Sequence, residues 1–279
     1  MRRRAVLTAA VAAFLPGTVM AAPKAEPWPR WAAHDPHATH DVDHSAWDAL
    51  LIRHRKDAAD GIARFDYDAL AASPEDRAAL GAYLTALAGI AISRYARDAQ
   101  MAFWIDLYNA LTVDIVVRHW PVTSIRDIRI SPGWFSVGPW GRKAVAVEGE
   151  ELSLDDIEHR ILRPLWNDPR VHYAVNCASL GCPNLPPRAV TAANLEAVLA
   201  RGAAEFVAHP RAFRIDGGRL RVSSIYEWFK ADFGGTDAGV IAHLRAHAAP
   251  ARADALAGFA RIDGHDYDWS INRARGSAL

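Results

Sequence analysis

The sequence predicts an α+β fold, a helix-rich single domain with a small, mainly antiparallel sheet. Three observations predict it. Several runs open with helix-start chemistry and keep apolar residues at helical spacing. Phe213-Arg214-Ile215 and Leu220-Arg221-Val222 flank Asp216-Gly217-Gly218 and read as a hairpin. No internal repeat, long coiled coil or complete dinucleotide-binding pattern competes. The 279 residues, 51% hydrophobic and 23% charged, are enough for a substantial core. Because 32 Lys plus Arg balance 32 Asp plus Glu, no broad electrostatic case for a nucleic-acid partner exists, and none is expected.

Residues 1–22 read as an export signal. Arg2-Arg3-Arg4 precedes an apolar run from Ala5 to Leu15, and Val19-Met20-Ala21-Ala22 supplies small cleavage residues. The run is too short to span a bilayer, so no transmembrane segment is expected in the mature chain. In a Gram-negative host this signal predicts a periplasmic protein. Residues 23–45 are expected to form a hydrated, flexible mature terminus, with His34, His37, His40 and His44 outside any site. The globular domain then spans 46–279.

A short helix is expected over 50–55, and Phe65-Asp66-Tyr67 opens another packed segment. Ser73-Pro74-Glu75-Asp76 starts a helix, with Ser73 as cap, Pro74 in the first turn and Asp76 at the capping-box position. Leu80, Tyr83, Leu84 and Leu87 continue its apolar face. A second helix runs over about 98–118 and stops before Pro121. Apolar residues cover almost every side of it, which predicts a central position. Asp106 and Asn109 could share one polar pocket. There Asn109 would either orient a substrate or imidazole, or tie the following loop to the core.

Residues 135–147 look like strand and turn material, and Ser153-Leu154-Asp155-Asp156 opens a helix carrying Glu158 and His159 before Pro164. Asp155 sits one turn before His159, where it would orient the ring. Alternation in Val171–Asn176 predicts a strand with His172, Ala174 and Asn176 on one face. The chain then enters Cys177-Ala178-Ser179-Leu180-Gly181-Cys182-Pro183. A helix is expected over 191–208, a capping box at 224–227, and helices at 238–248 and 252–258. Tyr267 to Asn272 has the bulk to return across the centre, as core or as an aromatic ligand-binding wall.

The runs 102–111, 153–159, 176–183, 223–233 and 267–272 resemble the DUF547 family, covering roughly residues 98–272. The resemblance puts emphasis on Asn109, Glu158, His159, His172, Asn176, Cys177 and Cys182 without giving them roles. Beyond it lies a distant similarity to papain-like or transglutaminase-like thiol enzymes. Here both histidines precede the Cys, an order that a circular permutation would explain.

The leading expectation is an exported thiol-dependent amide or ester hydrolase or acyl transferase acting on a peptide or cell-envelope substrate. Cys177 would be the nucleophile, His159 the base, and His172 and then His265 the next base candidates. Asn109, Asp155, Glu158 and Asn176 would orient or bind, with no cofactor and no metal. The alternative is a noncatalytic envelope binding or assembly domain in which Cys177 and Cys182 form a structural disulfide. Redox exchange and zinc ligation are lesser readings of the same pair. Oligomeric state is not encoded in any pattern found.

Overall fold

The structure, a computed structural model, describes residues 23–133 and 136–274. The predicted export signal and Phe135 lie outside the described residues. Among them the chain forms α1 (Ser45–His54), β1 (Arg55–Lys56), β2 (Arg64–Phe65), α2 (Tyr67–Ala72), α3 (Pro74–Ala88) and α4 (Arg97–Arg118). There follow β3 (Val145–Val147), β4 (Glu150–Leu152), a π-helical stretch Asp156–Leu162 continuing into α5 (Arg163–Trp166), and α6 (Leu195–Ala208). Last come β5 (Phe213–Asp216), β6 (Arg219–Ser223), α7 (Ser224–Trp228), α8 (Asp237–His247), α9 (Pro250–Ala255) and β7 (Gly264–Asp266). This is the expected helix-rich α+β domain. Its sheets are small: β1–β2 and β3–β4 are antiparallel pairs, and β5–β6–β7 adds one parallel pairing, β6 with β7.

Helix α4 is the axle. Every residue from Ala99 to Val117 except Asp114 is buried, so its polar side chains must find partners inside the protein. Gln100 donates to the carbonyls of Ala33 and Ile92, Asp106 accepts from Val190 N–H, and Asn109 holds the chain at 174–176. Asp106 and Asn109 thus serve different loops and do not share a pocket.

Ser73 caps helix α3 as expected, its Oγ accepting from Asp76 N–H at 3.1 Å, but the capping box is not completed, because the Asp76 carboxylate pairs with Arg53 and His54 instead. The hairpin also forms as expected. Gly217 and Gly218 both take left-handed backbone, φ 57° and 76°, which a two-residue turn joining twisted strands requires.

Three further expectations fail. Val171–Asn176 is not a strand: Pro169–Tyr173 forms a 3₁₀ turn, capped by Asp168 Oδ1 accepting from Arg170 N–H at 2.9 Å. A cap built by adjacent residues outweighs an alternation with no neighbouring strand to pair with. The helix expected to end before Pro164 runs through it, because the π register carries the chain across. Pro164 has no N–H to return to the preceding turn. The carbonyls of His159 and Arg160 instead accept from Glu26 and Trp28 N–H, each at 3.0 Å. Residues 23–32, expected as a hydrated terminus, are therefore strapped onto this helix, with Trp31 buried edge-on against Trp104 at 5.0 Å.

Candidate functional site

Pro164 and the π turn place Glu158, His159 and Arg163 on the inner side of one helix, opposite the loop 172–182. That loop is held by amides. Asn109 donates to Ala174 C=O at 2.9 Å and accepts from Asn176 N–H at 2.8 Å. Asn176 accepts from Ala178 N–H at 2.8 Å and donates to Pro183 C=O at 2.7 Å, closing a turn that carries Ala178 at φ 60°. Asn272 donates to Asn176 and accepts from Tyr67. Asn109 and Asn176 are thus fully engaged with the backbone, tying the loop to the core.

The two cysteines are joined. Cys177 and Cys182 form a disulfide across the turn, their Cα atoms 6.3 Å apart, within ordinary bridging distance. This overturns the thiol-enzyme expectation. Cys177 has no free thiol to attack a carbonyl or to be activated by His159 or His172.

Tyr267 covers the bridge. Its hydroxyl lies 2.9 Å from Ser179 Oγ, and its ring lies over Gly181, where a Cβ would come within 2.9 Å of ring carbons. Leu180 and Gly181 N–H donate to the carbonyls of Ser270 and Asp268, each at 2.8 Å.

Beside the bridge lies a buried charge cluster. Arg163 grips Asp232 with two donors, at 2.6 and 3.1 Å, and donates to His159 Nδ1 at 3.0 Å. A guanidinium has only donors, so Nδ1 of His159 must accept and the ring proton sits on Nε2. Burial, reinforced by Arg163, pushes this imidazole down to about 3, so it is neutral. His172 Nε2 meets Asp232 Oδ2 at 2.7 Å, and burial lowers its pKa despite that carboxylate.

Burial alone would raise Asp232, but the hydrogen bonds from His172 and Arg163 hold it well below the usual carboxylate range. Glu158 accepts from Tyr108 at 3.0 Å, and its other oxygen lies 3.7 Å from His172 Nδ1. Burial raises its carboxyl to about 7, against the pull of Arg163 and Tyr108. Asp155, more exposed, lies 3.6 Å from His159 Nε2; burial and then Asp156 raise it to about 6. The i, i+4 relation of Asp155 to His159 forms as the sequence implied, but at a separation too long for a direct hydrogen bond.

Half-buried aromatic rings line one side. Trp140 and Trp269 stand 5.7 Å apart, Trp269 and Trp228 5.4 Å, Trp269 and Tyr267 4.6 Å, and Trp228 and Tyr267 4.9 Å. The wall meets the charge cluster at both ends. Asp155 N–H donates to Trp140 C=O at 3.0 Å, and Phe229, next to Trp228, stacks on His172 at 4.3 Å.

Each run that carried the resemblance therefore contributes to one location. Residues 92–207 match the DUF547 family. Its description is "Protein of unknown function, DUF547". The runs 223–233 and 267–272 lie beyond the DUF547 match yet supply Asp232, Phe229, Tyr267 and Trp269 to the same face. No curated protein and no solved structure matches this chain, so nothing supports the expected similarity to papain-like or transglutaminase-like enzymes.

Arg163 and Asp232 were missed as site residues. The first was legible as the i+4 neighbour of His159; the second lay inside a motif run without an assigned role. His265, the third-ranked base, faces Ser224 Oγ at 2.9 Å instead. Among the described residues, no group of three or more His, Cys, Asp and Glu side chains is arranged to hold a metal ion. No described helix is long and apolar enough to cross a membrane.

Proposed function

We propose that this chain is an exported, noncatalytic binding or assembly domain of the cell envelope. Its recognition surface is the face where the disulfide turn, the charge cluster and the aromatic wall meet. The Cys177–Cys182 bridge carries this reading, because it locks the only two thiols into a brace for the turn beneath Tyr267. The charge cluster supports it. Arg163, Asp232 and His172 are turned on one another and hold the floor in place. A rigid polar floor beside half-exposed aromatic rings suits recognition. Export remains part of the proposal through the pattern of residues 1–22.

The test is co-sedimentation of the exported, oxidised protein with isolated cell-envelope material. The wild type should pellet with the envelope, and Trp269→Ala, folded by circular dichroism, should stay largely in the supernatant. Equal partition of both proteins, or a wild type that never pellets, would remove the basis for this reading.

A further inference from the structure

Resting on that reading, we infer that this face takes a neutral polyhydroxy ligand, an envelope glycan, seated on the aromatic wall with one hydroxyl bridging Asp155 and His159. Among the described residues no hydrogen bond reaches the Asp155 carboxylate, and His159 Nε2 has no partner nearer than Asp155 Oδ1 at 3.6 Å. His159 is 5% exposed, yet its Nε2 is not sealed from solvent as the unpartnered Nε2 of His44 is, so a ligand hydroxyl can reach this N–H. Because Arg163 occupies Nδ1, the Nε2 side is a donor facing an acceptor across a gap too wide for a direct bond.

A hydroxyl satisfies both sides, accepting from Nε2–H and donating to the carboxylate. An ammonium has no acceptor for the imidazole N–H, and an anion would face Asp155. The wall carries a cation, the Arg126 guanidinium over the Trp269 ring at 5.3 Å, and the charges beneath are paired. Arg163 is neutralised by Asp232, and Asp156 is engaged by Lys143 and Arg160. Glu158 and His172 complete the floor, with Tyr108 donating to Glu158.

The wall supplies the apolar half of the match. Trp140, Trp269, Trp228 and Tyr267 form a continuous run of ring contacts that begins beside Asp155. Sugar rings present flat C–H faces that pack on π faces, while their rims carry hydroxyls. A ligand lying on Trp269 and Trp140 would bring its rim to Asp155 and His159.

Isothermal titration with chitotriose, cellotriose, maltotriose and mannotriose tests this, with choline and Nα-acetyl-lysine amide as cationic comparators. At least one trisaccharide should bind saturably, with a dissociation constant unchanged within twofold between 50 and 500 mM NaCl. Asp155→Ala and Trp269→Ala should each weaken it at least tenfold, with the far-UV spectrum retained. Asp155→Asn, which keeps an acceptor, should lose less than Asp155→Ala.

Envelope binding without binding of any trisaccharide would overturn the glycan inference and leave the binding-domain reading standing. So would a preference for the lysine amide that collapses in salt. Failure of both envelope and trisaccharide binding would remove the two together.

Discussion

Replacing Glu158 with Gln should stabilise the protein at alkaline pH and change it little in acid. The carboxyl is buried beneath Tyr108, and burial raises it from an ordinary 4.5 to about 7. The folded pKa lies above the unfolded one, so the folded state retains a proton that the unfolded chain releases. Stability tied to this group is complete below pH 4.5 and falls as pH rises through 7. At 1.36 kcal/mol per pH unit the full loss is about 3 kcal/mol.

Gln keeps the shape, accepts from Tyr108, and can offer an N–H toward His172 Nδ1. His44, His159 and His243 are pushed by burial to about 4, 3 and 4. Their contribution runs the other way, rising with pH up to the ordinary histidine range, but it is common to both proteins. Urea unfolding followed by tryptophan fluorescence at pH 5 and pH 8 therefore isolates Glu158 in the difference between variant and wild type. That difference should move toward stabilisation by about 2–3 kcal/mol from acid to alkali. A difference constant to within about 0.5 kcal/mol would refute a proton held on Glu158 in the folded state.

Thiol titration of the unreduced protein in denaturant should find no free thiol, and Cys177→Ala/Cys182→Ala should lose about 2 kcal/mol, the loop entropy of so short a bridge; stoichiometric thiol in the native preparation would contradict the bridged state. Asn109→Ala would leave Asn176 N–H and Ala174 C=O buried without partners; about 2–4 kcal/mol should be lost in a denaturant midpoint series, and a loss below about 0.5 kcal/mol would show the loop is tied elsewhere. Gly181→Ala would push a methyl into the Tyr267 ring; the near-ultraviolet aromatic spectrum should change with a loss of about 1–3 kcal/mol, and an unaltered spectrum would contradict the flat packing.

Local chemistry was the legible part. The Ser73 cap, the glycine pair at 217–218 and the all-round apolarity of α4 each state their structure within a few residues, and each formed. Where two local signals competed, the nearer contact won: alternation in Val171–Asn176 lost to the Asp168 cap. The disulfide was legible only as a distance that permits bridging. Whether the thiols meet depends on Asn109 and Asn272, far away in sequence, holding the turn. The ion pair of Arg163 with Asp232 spans 69 residues and leaves no periodic trace. Residues 23–32 had no pattern of their own, since their structure answers carbonyls released by Pro164.

That last feature makes the cooperative unit wider than the stretch that matches DUF547. A fragment of residues 92–207 would carry Arg163 without its carboxylate, Gly181 bare of the ring that roofs it, Asn176 short of one donor, and two helix carbonyls facing nothing. Each partner comes from before residue 33 or after residue 223. Residues 23–32 and 223–274 thus act as clamps on the middle of the chain, and a break in either stretch should be felt first where the disulfide turn meets the charge cluster.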